Sequence, residues 1–408
     1  MTQLTPTSVD NRLHIIDALR GFALAGIFIS HMVEHYLGAL PPPALVEGFT
    51  QSSLDHVVFG LAQLLISGKF FALFSFLFGL SFFMQIDRAA QRDMDFRGRF
   101  IWRLCILFLI GYLHSLFYRG DILTIYAPLG LLLVFFYRVP SNVILILVGT
   151  IMAGAGRYLV FALYGEETIL PFGNSDPELP YNRTYFDALQ SGSLVDLFAA
   201  NAVHGHLTKM EFQIGIFGRW YLTFAFFLAG LWVGRIRLFE RLDELHDSIK
   251  KTFKLACIGI LASVILAVVF FGLGGAGKGT EPTTNWFTLI GMTGYDLFNI
   301  NLATIYLCGF ILLFRRPNSG RFLARLAPYG RTALSSYFMQ SLVGTFILYN
   351  WGLGLLTALT NTQVLLIALP VLVLQIMFSS WWLGRYRFGP LEWLWRSATY
   401  LSWQPFRK

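Results

Sequence analysis

Charge is what this sequence has least of. Of its 408 residues only 13% are Asp, Glu, Lys or Arg, about half of what a soluble globular chain carries. Apolar residues make up 55% and mean hydropathy is +0.59, which excludes a water-soluble domain of this length. Cysteine is nearly absent as well. Cys105, Cys257 and Cys308 all lie inside apolar runs, without metal-ligand or redox spacing. That excludes a disulfide framework or a thiol redox centre and leaves three inert helix residues. A cleavable leader is not expected, since the first fifteen residues are polar and the first apolar run continues past them without a small-residue cleavage site.

Long apolar runs recur from end to end. Spans of roughly 20 apolar residues are needed to cross a bilayer, and about ten fit: 16–37, 69–86, 99–118, 121–138, 141–164, 213–234, 252–273, 286–314, 330–350 and 363–383. The expected fold is all-α, a polytopic membrane helix bundle. Residues 54–67 are apolar too, and Ser67-Gly68 offers a break before the second span, so they are read as an interfacial or re-entrant helix. The chain divides into an N-terminal membrane bundle (1–164), one sizeable loop (165–212) and a C-terminal membrane half (213–408). No inverted repeat and no paired broken helices of the kind that mark carrier sites are visible.

The basic residues orient the bundle. Clusters at Arg88–Arg103, Arg235–Lys254, Arg315–Arg331 and Arg385–Lys408 fall on one side if the helix count is even. With Arg12, Arg20 and Arg138, that side holds 24 of the 31 Lys and Arg residues. The positive-inside rule makes it cytoplasmic, with both termini there. The net charge of +8 then serves topology and anionic lipid, and no basic-aromatic patch suggests nucleic acid. The loop 165–212 lies outside. It carries Glu166, Glu167, Asp176, Glu178, Asp187, Asp196 and Glu211, with Pro171, Pro177 and Pro180 near its start. Its amphipathic stretches Tyr185–Leu189 and Val195–Val203 predict short helices over the bundle mouth. Gly272–Gly279 forms a shorter outer loop.

Ionisable residues inside apolar runs are costly and mark functional paths. The first span holds Asp17, Arg20, His31, Glu34 and His35. Arg20 and His31 lie about 20° apart around a helix axis and about 16 Å apart along it, with Glu34 and His35 near the same face. The third span repeats the spacing, with Arg103 eleven residues before His114. Lys69 opens the second span from outside, Arg119 and Asp121 form the turn after the third, and Asp296 lies at comparable depth in the eighth. His31, Glu34, His35, Lys69, His114, Arg119 and Asp121 are thus expected to converge in the outer half of helices one to four. Each has a plainer reading. Arg20 and Arg103 serve equally as boundary anchors that snorkel to lipid phosphates, and Lys69 as an outer anchor. His31 and His114 serve as interhelical hydrogen-bonding residues, Asp121 as a helix cap, and Asp296 as the partner of Asn299 or a tyrosine.

His31-Met-Val-Glu34-His35 also spells the His-x-x-Glu-His pattern of inverted zinc peptidases. The soluble fold of that class is absent, and His114 or Asp121 would have to supply a third ligand. No metal site and no cofactor are assigned.

Five blocks carry a family resemblance: Arg12-Leu-His-Ile-Ile-Asp17-Ala-Leu-Arg20-Gly21-Phe, Gly68-Lys69-Phe-Phe-Ala-Leu-Phe-Ser-Phe-Leu-Phe-Gly79, Gly120-Asp121-Ile-Leu-Thr-Ile-Tyr126-Ala, Gly330-Arg331-Thr-Ala-Leu-Ser-Ser-Tyr337-Phe-Met-Gln340-Ser341 and Gly389-Pro390-Leu-Glu392-Trp-Leu-Trp-Arg396. They run in order through nearly the whole chain, which resembles the YeiB-like bacterial membrane proteins, whose C-terminal half is a domain of unknown function. That family is similar to a wider group of transmembrane acyltransferases, among them O-antigen and peptidoglycan acetylases, whose first helix carries Leu-Arg-Gly followed by a histidine. Leu19-Arg20-Gly21 and His31 fit that pattern.

The resemblance implies a multi-pass protein of the bacterial inner membrane that moves an acyl group from cytosolic acyl-CoA to an outside carbohydrate or lipid acceptor. Arg20 and Arg103 would meet the CoA phosphates and His31 would act as general base. Glu34 would orient it, Lys69 or His114 would steady the oxyanion, and Arg119, Asp121 and Asp296 would line the substrate path. Two other readings stay open. A bundle with buried His, Glu, Asp and Lys also describes a proton-coupled transporter, and a lipid- or metal-binding scaffold would need no chemistry.

Overall fold

The structure is a computed structural model that describes all residues except 1–8, 92–96, 166–168, 170–175 and 276–283; of residues 9–13 only the backbone is described. Arg12's side chain, Arg92, Glu166, Glu167, Pro171 and the Gly-rich segment from Ala276 to Gly279 therefore lie outside the described residues. Among those described, the chain is helical with no strand, as an all-α bundle requires.

Ten principal helices follow the ten apolar runs. They are α1 (Val9–Val33), α2 (Lys69–Ala90), α3 (Arg97–Phe117), α4 (Leu123–Phe136), α5 (Ser141–Met152), α6 (Arg219–Arg235), α7 (His246–Leu273), α8 (Trp286–Phe314), α9 (Ala333–Leu348) and α10 (Asn361–Arg385). Among the described residues six helices are long and apolar enough to cross a bilayer, or up to eight if α5 and α6 are each counted with the short helix they meet at a bend; α4 and α9, at 14 and 16 residues, are too short to do so alone. The periphery is lipid-facing. Leu255, Ile258, Leu261, Ile265 and Val268 of α7 are all exposed, an apolar stripe that only a bilayer covers.

Small residues set the closest crossings. A Cβ at Gly330 would lie 1.8 Å from the Asp17 carbonyl oxygen, and one at Gly21 2.2 Å from that of Leu326. The α1 backbone therefore rests directly on the helix Ala327–Arg331. Gly79 and Gly230 do the same for α2 and α6.

The bundle has a basic end. There Arg237 pairs with Asp87, Arg315 bonds Asp243, and Arg235 donates to the carbonyls of Phe136, Tyr137 and Val139. The ends of α2, α4, α6 and α8 are tied together by the residues that were expected to share one side. At the opposite end the helices Pro180–Gln190, Leu194–Ala202, His204–Leu207 and Met210–Ile214 form a cap, as the amphipathic stretches predict. The Tyr185 hydroxyl donates to the Leu37 carbonyl at 2.6 Å and the Asn350 amide to that of Leu189 at 2.9 Å. Asp196 closes a capping box with Ser193, whose hydroxyl and amide hold its carboxyl below the usual range.

Three expectations need correction. The run 54–67 forms a helix, Ser53–Leu65, with a break at Gly68 (φ +85°). It continues into α2 as one 38-residue run and does not turn back, so it is not re-entrant. Broken helices are present: α5 and Ala155–Tyr164 meet at 56°, and His204–Ile214 and α6 meet at 70°. Gly154 (φ +91°) and Gly218 (φ +63°) sit at the breaks in a conformation that glycine adopts without strain. Finally, α1 stops at Val33, four residues before the end expected for it.

Candidate functional site

α3 ends at Phe117 and α4 begins at Leu123, with a tight turn between them in which the Asp121 amide donates to the Tyr118 carbonyl. That turn folds Asp121 back beside the last turn of α3. One carboxylate oxygen accepts the Thr124 amide at 2.8 Å, capping α4, and the other accepts Nδ1–H of His114 at 2.7 Å. Both side chains are fully buried. With Nδ1 as donor, the Nε2 lone pair of His114 points away from Asp121, and it has no partner among the described residues. A buried imidazole oriented by a carboxylate, with its other nitrogen free, is the arrangement of a general base. Both residues are expected in the outer half; the bond between them is not readable from depth and face.

His31 lies across Tyr118 from this pair. Its ring centroid is 5.0 Å from that of Tyr118, and His114 is 6.4 Å from the same ring. The expected convergence of the two histidines is thus present. His31 Nδ1 is also buried without a partner among the described residues, and beside it the buried Tyr36 hydroxyl lies against Ser341 Oγ. Buried polar atoms are nearly always satisfied in folded proteins, so this concentration marks an unusual polar cluster between α1, α3 and α9.

Other expected residues are engaged elsewhere. His35 does not share the His31 face: the chain leaves the helix with φ +52° at His35, which destroys the i,i+4 register. Its ring stacks on Phe49 at 3.7 Å, with its nitrogens against the carbonyls of Val33 and Leu359. Glu34 accepts from Ser30 and Ser67 at 3.0 and 2.7 Å; the carboxylate bonded to a histidine is Asp121. Lys69 donates to the carbonyls of Gln63 and Ser67 at 2.7 and 2.8 Å, closing the end of Ser53–Leu65. Arg119 reaches into the outer cap, bonding Asn182, Asn201 and the Ala200 carbonyl, with its guanidinium 3.5 Å from the Tyr185 ring centroid. Asp296 pairs with Arg157 at 2.5 Å, and neither Asn299 nor a tyrosine takes that place.

Arg20 and Arg103 meet at a cavity of about 280 Å³ that rises from the basic end. Arg20 is braced by Asp17 at 2.8 Å and Ser81 at 3.1 Å. Arg103 lies 3.5 Å over the Trp395 ring, and Arg331 completes the rim. The walls are apolar, and the far end is closed by Tyr126 and Tyr337. Tyr337 packs on the His114 ring at 4.7 Å, so the cavity ends one side chain short of the histidine. Its lining on α2 runs from Phe74 to Gln85, a depth of about 16 Å at the helical rise. The helix Pro390–Tyr400 floors it, with Glu392 accepting the Leu334 and Ser335 amides at the start of α9.

Comparison with known proteins shows the family. The chain is 30% identical to the uncharacterized protein YxaH of Bacillus subtilis (strain 168) over 431 residues, covering 100% of this chain and 99% of that one. The chain belongs to the YeiB-like family. YeiB of Escherichia coli (strain K12) is 27% identical over 394 residues, 94% of this chain and 95% of YeiB. A 39.9 kDa protein encoded 3′ of an amylase in Bacillus acidopullulyticus is 28% identical over 97% of this chain and 96% of its own. Residues 233–402 match the family described as protein of unknown function DUF418. In this YeiB-like chain the matched segment supplies α9, with Tyr337 and Ser341, and the Pro390–Tyr400 floor, while His31 and His114 lie before it. The polar cluster therefore draws on both halves.

Four side chains of this YeiB-like chain escaped the sequence reading. Tyr337 and Arg331 sit in a block that otherwise reads as packing and charge for topology, and Tyr118 closes the third apolar run, where it reads as an interface aromatic. Arg157 sits inside an apolar run with nothing local to set it apart except the neighbouring Gly154 and Gly156.

Proposed function

We propose that the protein is a multi-pass bacterial inner-membrane acyltransferase, with its basic end and both termini in the cytoplasm, in which His114 held by Asp121 serves as the general base. The observation that carries this reading is the His114–Asp121 pair with its unpartnered Nε2, set one side chain from a cavity rimmed by three arginines. A cytosolic acyl-CoA lays its phosphates on Arg20, Arg103 and Arg331, where guanidinium favours phosphate, and its thioester arm rises toward Tyr126 and Tyr337. An outside hydroxyl or amine, on a carbohydrate or a lipid head group, approaches beside His31 and Tyr118. His114 Nε2 accepts its proton as the acceptor atom bonds to the thioester carbonyl carbon. The C–S bond then breaks, the proton passes to the leaving thiolate, and free CoA thiol returns to the cytoplasm. His31 and Tyr36 present hydrogen-bonding atoms to the tetrahedral intermediate.

The test is acetyl-CoA turnover by the full-length protein in nanodiscs with mixed outside acceptors. Thiol release that falls by about 10²–10⁴ in His114→Ala, with acetyl-CoA binding weakened in Arg20→Ala and Arg103→Ala, is the expected result. Absence of both acyl-CoA binding and thiol release would overturn the reading.

One observation favours a second reading. The breaks at Gly154 and Gly215–Gly218 meet around Arg157, which donates to the Ile216 carbonyl at 2.8 Å, to Thr293 at 3.0 Å and to Asp296. Broken spans about a buried ion pair are a feature of transporters. Gradient-driven solute uptake into proteoliposomes, without thiol release, would decide for a carrier.

A further inference from the structure

Beyond the floor helix Pro390–Tyr400, the chain after α10 has no role in either reading. It forms a hook. An isolated antiparallel bridge joins Tyr386 to Arg407. The Arg387 amide donates to the Phe406 carbonyl at 3.0 Å, and the Lys408 amide to that of Arg385 at 3.3 Å. Arg387 Nε adds a bond to the Arg407 carbonyl at 3.0 Å. Residues 406–408 are thereby drawn back onto the end of α10.

This pairing gathers charge of one sign. Arg385 and Arg387 come to lie beside Arg407 and Lys408, and all four residues are exposed. Like charges set opposite each other across paired backbone are destabilising, so the cluster calls for an anion. The hook does not supply one. Glu392 is its one acidic side chain, and that carboxylate accepts the Leu334 and Ser335 amides at 2.6 and 3.1 Å. Arg385 and Arg387 donate to the backbone carbonyls of Trp381 and Arg407, and among the described residues none of the four cations pairs with a carboxylate.

The surroundings identify the source of the anion. α10 stays lipid-facing almost to its end, with Leu374, Met377, Phe378 and Trp381 exposed, and Arg385 follows one turn after Trp381. Leu401 is 81% and Trp403 76% exposed. Trp403 is held against the hook by stacking on Trp393 at 5.2 Å, which in turn packs on Phe406 at 4.8 Å. A soluble polyanion would leave Leu401 and Trp403 in water. A bilayer surface takes both, the apolar side chains at the acyl boundary and the cations at the phosphates.

We infer that the hook, residues 385–408, is a binding site for an anionic phospholipid, its phosphate on Arg385, Arg387, Arg407 and Lys408 and its acyl chains against Trp381, Leu401 and Trp403. This is more than a charge bias that sets orientation, because backbone pairing assembles the cluster from the two ends of the hook. The site is independent of acyl transfer, and a protein without acyl-CoA chemistry would still bind the lipid here.

The test titrates full-length, delipidated protein in detergent with dioleoylphosphatidylglycerol or dioleoylphosphatidylcholine, read by native mass spectrometry. The anionic lipid is expected to bind about tenfold more tightly or better, from the attraction of several basic side chains. Arg385→Gln, Arg387→Gln, Arg407→Gln and Lys408→Gln together should abolish that preference, and Leu401→Ser with Trp403→Ser should weaken both lipids. Lys250→Gln, Lys251→Gln and Lys254→Gln together, which remove exposed charge at the start of α7, should leave the preference intact. Each variant is accepted only if it elutes as folded monodisperse protein, and the wild-type comparison needs no variant. Equal binding of the two lipids by the wild type, or equal loss of preference in the α7 and hook variants, would overturn the proposal. Tight binding of inorganic polyphosphate without any lipid preference would assign the cluster to a soluble polyanion and overturn it as well.

Discussion

His114 donates Nδ1–H to Asp121 across 2.7 Å, and neither side chain has any solvent exposure. Seven residues separate them, and only the turn at Tyr118–Asp121 brings the carboxylate back onto the last turn of α3. Asp121→Asn keeps the shape but replaces the charged acceptor and permits the wrong histidine tautomer. Breaking a buried pair by altering one partner costs about 3–5 kcal/mol, so Asp121→Asn is expected to lower the melting temperature markedly. Thiol release should fall with it. His114→Gln with unaltered turnover would remove His114 from any catalytic role.

The crossing at Gly330 gives a prediction independent of function. Alanine there would set a Cβ 1.8 Å from the Asp17 carbonyl oxygen, and a backbone obstacle cannot swing aside as a side chain can. The expected cost is at or above the upper end of the about 1–3 kcal/mol of ordinary overpacking. Gly149 is the control, because a Cβ there meets nothing within 4 Å. Gly149→Ala should be neutral or stabilising by up to about 1 kcal/mol from helix propensity. Thermal unfolding of the two variants side by side checks both, and equal melting temperatures would refute the crossing.

How far the sequence anticipates this molecule depends on the range over which each feature is set. The long spans α1, α2, α3, α7, α8 and α10 are legible because an apolar run must match bilayer thickness, a local property; the expected ten fall to six, or at most eight, among the described residues, because α4 and α9 are too short and α5 and α6 are bent pieces. So is the cap at 176–214, because Tyr185–Leu189 and Val195–Val203 carry their own amphipathic pattern. The shared depth of His31 and His114 is legible from equal spacing to Arg20 and Arg103. The rest depends on chain ends and distant partners. His35 was expected beside His31, yet α1 stops at Val33 and a left-handed residue turns the ring onto Phe49. The Arg157–Asp296 pair joins residues 139 apart in the chain, and no periodicity encodes that. The helix breaks were missed because Gly154 and Gly218 lie within runs whose mean hydropathy conceals them.

Arg157 and Asp296 are expected to behave as a unit. Either alone, as Arg157→Met or Asp296→Leu, leaves a buried charge unpaired and should cost about 3–5 kcal/mol, whereas the double substitution removes both charges and should recover much of that loss. Melting temperatures of the three proteins test this. If the double variant is folded but has lost activity or transport, the pair serves function as well as packing; additive losses would show that the two do not interact.

Topology is open to direct labelling. In a background lacking Cys105, Cys257 and Cys308, a cysteine at Ser191, on the exposed edge of the cap, should react with an impermeant maleimide added outside intact cells. A cysteine at Ser248, exposed near the start of α7, should react only after permeabilisation. Reversed labelling would invert the proposed orientation and, with it, the entry side for acyl-CoA.

Arg119 holds the cap to the bundle, and its removal should loosen that cap without touching the His114–Asp121 pair. The side chain is 1% exposed, makes three hydrogen bonds to residues 182–201 and lies over Tyr185, so Arg119→Ala removes charge-assisted bonds and a cation–π contact together. Hydrogen bonds to charged groups contribute about 1.5–3 kcal/mol each, and a desolvated cation–π contact about 2 kcal/mol. Arg119→Lys keeps the charge but not the fork, and should recover only part of the loss. The readout is local. A cysteine at Ala200, nearly buried beneath the cap, should be protected in the wild type, become reactive in Arg119→Ala and react at an intermediate rate in Arg119→Lys. The Ser191 cysteine should react equally in all three. Unchanged protection at position 200 in Arg119→Ala would mean that Tyr185 and Asn350 suffice to hold the cap.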